Sequence, residues 1–76
     1  MDIVVHVTTV DQWRSVLDIW FKQGYEWKEY SDTDYHEDDF KIGNKILVLN
    51  QYISYFSEYK LAVEYSDFMV QQMEVQ

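Results

Sequence analysis

The chain contains no cysteine and no proline, only two glycines, and six lysines and arginines against fourteen acids across 76 residues. Without cysteine there is no disulfide frame and no thiol nucleophile. The two glycines, Gly24 and Gly43, are too few for a phosphate-cradling loop or a nucleophile elbow. A net charge of −8 excludes ordinary gripping of a nucleic-acid backbone, which needs clustered cations, and repels anionic lipid. The longest apolar stretches, such as Ile46 to Leu49, fall far short of a membrane span. The opening residues Met1 to His6 lack the basic flank and long apolar run of a secretory signal, so cytoplasm is the expected compartment. With no linker composition and no internal repeat, residues 1–76 read as a single domain.

What is present compensates for small size. A chain this short buries only about 60% of the surface its unfolded form exposes, and small folds often need a metal, a disulfide or a partner. Aromatic residues make up 18% of the sequence, three Trp, seven Tyr and four Phe, and each large ring removes much apolar area from water. Dense aromatic packing or oligomerisation is therefore expected to supply the stability.

Hydrophobic periodicity predicts an α+β fold. Ile3, Val5 and Val7 alternate with Val4, His6 and Thr8, the period of a strand. Thr9 followed by Gln12 is a capping-box pattern, with Thr8 and Asp11 as an overlapping alternative. A helix over about 9–23 then carries the stripe Val10, Trp13, Val16, Leu17 and Trp20, and Gly24 ends it. A short second strand is expected around Tyr25, Trp27 and Glu29, and residues 31–39 read as an exposed acidic loop. Gly43-Asn44 marks a turn into a central strand over Lys45 to Leu49, and Asn50-Gln51 turns the chain into Tyr52 to Phe56. A short fifth strand, Lys60 to Glu64, and a C-terminal helix capped by Ser66 and bearing Phe68, Met69 and Met73 complete the pattern. The expected architecture is an antiparallel sheet of four to five strands with the main helix and the short C-terminal helix on one face. Val4, Leu47, Leu49 and some of Tyr52, Ser54 and Phe56 would then lie on the other face. So apolar a surface marks an interface, most simply a homodimer, unless curvature or the acidic loop covers it.

Charge is concentrated in one segment. Glu26, Glu29, Asp32, Asp34, Glu37, Asp38 and Asp39 face only Lys28, so residues 26–39 carry −6 of the net −8. This segment is the candidate partner-binding surface: its spaced carboxylates match a basic site on another protein, standing in for backbone phosphates, and would steer association. The bland alternative is a solvated loop that keeps the chain soluble. Calcium fails on detail, because an EF-hand loop starting at Asp32 needs glycine where Glu37 stands and glutamate where Gly43 stands. No metal and no cofactor are expected, and no catalytic residue is assigned, since paired acids such as Asp38 and Asp39 need a pocket that separates their pKa values. His6 and His36 lie 30 positions apart, and His6 reads as an ordinary sheet-face residue. Tyr52, Tyr55, Tyr59, Tyr65 and Trp27 could stack on a base or sugar ring in a small-ligand or nucleotide pocket, but core and sheet-face packing is the better account of them, since the positive charge that accompanies nucleic-acid stacking sites is missing.

The stretch from Val4 to Trp27, with a strand, Thr8-Thr9, a Trp-bearing helix and then Lys22-Gln23-Gly24-Tyr25-Glu26-Trp27, resembles a class of small proteins encoded by bacteriophages and prophages. In that class a "GY-x-W" element follows the helix and a later strand pair resembles Ile46 to Asn50 and Ile53 to Phe56. The resemblance implies fold and origin, and no active site transfers with it. It further implies a non-enzymatic inhibitor of a host or defence protein that handles nucleic acid, acting in the host cytoplasm, in some such proteins by imitating DNA. The alternatives are a homo-oligomeric assembly protein and a small-ligand module.

Overall fold

A computed structural model describes residues 2–74. In chain order the elements are β1 (Ile3–His6), α1 (Val10–Lys22), α2 (Glu37–Lys41), β2 (Ile46–Leu49), β3 (Ile53–Phe56), β4 (Val63–Glu64) and α3 (Tyr65–Glu74). The fold is α+β, with a four-stranded sheet in the order β3-β2-β1-β4.

The main helix starts where the capping pattern places it. Thr9 is the N-cap, and its hydroxyl accepts from the Gln12 amide at 3.1 Å. The Gln12 side chain reaches back to the Thr8 amide at 2.8 Å, so the reciprocal half of the box lands one residue earlier than the standard pattern. Trp13, Val16, Leu17 and Trp20 form the buried stripe. Beyond the helix, Gly24 adopts φ +97°, a conformation most side chains resist.

Register decides which strand residues meet that helix. Directly opposed residues point to the same face of a sheet, and Val5 pairs with Leu47, Ile3 with Leu49, Leu47 with Tyr55 and Leu49 with Ile53. Val5, Val7, Leu47, Leu49 and Ile53 therefore join Trp13, Trp20, Trp27, Phe40 and Phe68 in one core. The Trp20 and Phe68 rings meet edge to face at 5.9 Å, which docks α3 beside α1.

The sheet is mixed rather than antiparallel: β2 is antiparallel to β1 and β3, but β4 runs parallel to β1. The cause is the connection 57–62, which carries the chain from one sheet edge to the other instead of folding back as a hairpin. β4 has only two residues, and α3 begins at Tyr65 rather than after a Ser66 cap. The expected strand at Tyr25 to Glu29 shrinks to a single parallel bridge between Trp27 and Ile53. Residues 31–39, expected to be an exposed loop, contain most of α2.

Leu47 and Leu49 lie on the helix-covered face, not on the opposite one. The opposite face carries Val4, Ile46, Val48, Ser54 and Phe56 by the same register. Ile46 and Val48 there are only 5% and 3% exposed. The 57–62 connection runs beside Ile46, where Ser57, Glu58, Tyr59 and Lys60 share a surface depression with it and His6. Phe56 and Tyr59 pack ring against ring at 5.5 Å, and each keeps more than two fifths of its surface exposed.

Candidate partner-binding surface

Two buried indoles organise the acidic segment. Trp13 comes from α1 and Trp27 from the bridge beside β3, and both are at most 1% exposed, with ring centroids 5.8 Å apart. A buried indole N–H must find an acceptor. Trp13 Nε1 donates to the Tyr35 carbonyl at 2.7 Å and Trp27 Nε1 to the adjacent Asp34 carbonyl at 2.6 Å. The Trp27 amide also donates to the Asp32 carbonyl at 3.1 Å. Acidic residues that read as a solvated loop are thus tied by their backbone to the core.

Left-handed residues bracket the segment, Ser31 at φ 54° and His36 at φ 49°. His36 stands at the N-cap of α2, with Glu37, Asp38 and Asp39 in the first turn and Lys41 in the last. That charge order suits the helix dipole, and Phe40 anchors the turn against Trp13 with centroids 5.7 Å apart. The acid-first, lysine-last order ahead of Gly43 was the available sequence signal for α2, and the lack of a longer apolar period hid it.

The carboxylates divide into two sets. Asp32 accepts from the His36 ring at 2.8 Å, Glu37 pairs with Arg14 at 3.3 Å, and Asp39 accepts from the Tyr30 hydroxyl at 2.6 Å. Glu26, Glu29, Asp34 and Asp38 are exposed and turn their charge to solvent. The phenol of Tyr30 is held protonated well above its usual range, chiefly by its hydrogen bond to Asp39 and secondarily by Tyr55 and by burial. The phenol of Tyr35 is also raised, chiefly by its hydrogen bond to Asp18, while Arg14, 4.6 Å over its ring, opposes the shift. Tyr30 stacks on His36 at 3.8 Å and 19° between planes.

Asp32, Asp34 and His36 offer one ligand atom each within 4.8 Å of one another. This nitrogen-and-oxygen set suits a transition metal better than calcium. The pairing of Asp32 with His36, and the Asp34 amide donating to Asp32 at 3.3 Å, already account for the closeness of the group.

Of the aromatics expected to line a ligand pocket, Trp27 and Tyr55 come together on the wall of one groove, with Tyr52 and Tyr59 at other surface depressions. Trp27 belongs to the core, Tyr55 and Tyr65 pack against it, and Tyr65 donates to Ser15 of α1 at 2.9 Å. The groove, of about 240 Å³, lies between residues 27–30 and 53–56. Among the described residues no helix is long and apolar enough to cross a membrane. Comparisons with protein families, curated proteins and solved structures find no match.

Proposed function

We propose that the chain is a small non-enzymatic binding protein that occupies a basic surface on another protein through residues 26–39. The proposed partner is one whose basic surface ordinarily holds nucleic-acid phosphates, as expected of a phage-derived inhibitor. The observation that carries this reading is the pair of indole-to-carbonyl hydrogen bonds at Asp34 and Tyr35. They tie the backbone around Asp34 to the core, and the bonds between Ile53 and residues 26 and 28 do the same beside Glu26 and Glu29, so little ordering entropy is lost on association. An assembly role through the opposite sheet face has less support, because Ile46 and Val48 are already covered within the chain.

The test is capture from a bacterial lysate at low salt, elution with a salt gradient, and mass spectrometry of what is retained. A nucleic-acid-binding protein displaced by double-stranded DNA is the expected result. The variant Glu26→Gln/Glu29→Gln/Asp34→Asn/Asp38→Asn should lose this partner mainly through slower association, with melting changed by no more than about 0.5 kcal/mol equivalent. Retention of only abundant nonspecific proteins, or equal retention by the variant, refutes the reading.

A further inference from the structure

The outer edge of β3 is half occupied. The Ile53 amide donates to the Glu26 carbonyl at 2.9 Å, and the Lys28 amide donates to the Ile53 carbonyl at 3.0 Å. Ile53 thus turns both backbone groups away from β2, and along an antiparallel strand that direction recurs at every second residue. The inner ladder agrees: the Asn50 amide bonds the Tyr52 carbonyl at 3.2 Å across the hairpin, two places from the Val48 and Ser54 pair. Tyr55 must therefore also point its N–H and C=O outward. After Lys28 the chain turns away, with the Ser31 amide closing onto the Trp27 carbonyl at 3.0 Å. Among the described residues no backbone group meets Tyr55 on that side. The space left is the 240 Å³ groove, lined there by Lys28, Glu29, Tyr30, Ser54, Tyr55 and Phe56.

We propose that this groove receives an extended basic segment of a partner protein, which adds to the sheet at Tyr55 and continues the edge that residues 26–28 begin. Strand addition supplies main-chain hydrogen bonds without regard to side chains, and flanking side chains then select the sequence. Charge favours a basic occupant: Lys28 and Glu29 on the groove wall offset one another, and the other six acids of 26–39, with no further lysine or arginine among them, leave the segment at −6. A strand places side chains alternately on the two sides of the sheet, so a segment with a cation at every second position presents one basic row. The inference rests on the proposed reading of the acidic surface and specifies how that surface engages its partner.

The probe is a short acetylated peptide alternating arginine and threonine, titrated into the ¹⁵N-labelled full chain at low salt. Two further peptides carry N-methyl groups, one at every arginine and one at every threonine. Because strand amides alternate in direction, one methylated peptide should bind about tenfold or more weakly, the loss of roughly one good hydrogen bond, and the other should be spared. Exchange of the Tyr55 amide should slow in the saturated complex, and Glu29→Lys should weaken the parent peptide. If both methylated peptides bind like the parent, or the Tyr55 amide stays unprotected, strand addition is wrong while the charge-based reading stands. If the parent peptide fails to bind at all, both fall. Protection of Tyr55 with rising protein concentration and a doubled mass, without peptide, assigns the edge to a second copy and overturns the proposal.

Discussion

Replacing Trp27 by phenylalanine isolates the hydrogen bond that holds the acidic segment. The side chain is 1% exposed, its indole N–H lies 2.6 Å from the Asp34 carbonyl, and its ring centroid is 5.8 to 5.9 Å from those of Trp13, Tyr30, His36 and Tyr55. Phenylalanine keeps an aromatic ring but removes the donor, at a cost of about 1 kcal/mol for a typical hydrogen bond and more if the carbonyl is left dry. The missing edge of the indole leaves a void that adds about 1 to 2 kcal/mol. The sum, about 2 to 3 kcal/mol, lowers the melting temperature of so small a domain by roughly 10 to 20 °C. The protein should still be folded at 25 °C, given a total stability of roughly 4 to 11 kcal/mol for this length. Urea denaturation gives the loss as a shifted midpoint at unchanged slope, and amide exchange should show residues 31–36 opening more readily than the strands. Trp20→Phe is the control, because that indole packs on Phe68 away from the segment: it should destabilise without releasing residues 31–36. A loss below about 0.5 kcal/mol for Trp27→Phe, with exchange of 31–36 unchanged, would refute the view that the indoles pin the surface.

Two other perturbations test the same site. Both Tyr30 and Tyr35 have folded pKa values raised above the unfolded value of 10.0, so their contribution is present below about pH 10 and is lost as pH rises toward the folded values. Stability measured by urea from pH 8 to pH 11 should fall with rising pH, and Tyr30→Phe with Tyr35→Phe should flatten the fall; a slope unchanged by both substitutions would remove the phenols as its cause. Chelation should leave the melting temperature where it was, because the Asp32 and His36 side chains already satisfy one another. A drop of several degrees would instead show an ion resident at Asp32, Asp34 and His36.

The sequence alone determined the elements whose signals are local. Thr9, Gln12 and Gly24 bound α1 through backbone groups within a few residues, and the apolar stripe from Trp13 to Trp20 defines its buried side by periodicity. β1, β2 and β3 followed from alternation or continuous apolarity between turn residues, and the acidity of 26–39 is a matter of counting. Tertiary structure decided whatever depends on partners distant in the chain. Ile46 to Leu49 is apolar at every position, so no pattern within it says that Leu47 and Leu49 face the helices; only its register against Val5 and Ile53 does. The direction of β4 was likewise invisible, since it depends on the path of residues 57–62 across the sheet. The largest difference concerns the candidate surface: seven acids looked alike in the sequence, yet among the described residues Asp32, Glu37 and Asp39 are engaged by His36, Arg14 and Tyr30, while Glu26, Glu29, Asp34 and Asp38 are exposed. That division depends on where residues 31–36 sit, and two buried indoles, 14 residues apart in the chain, hold them there by donating to adjacent carbonyls, at Tyr35 and Asp34.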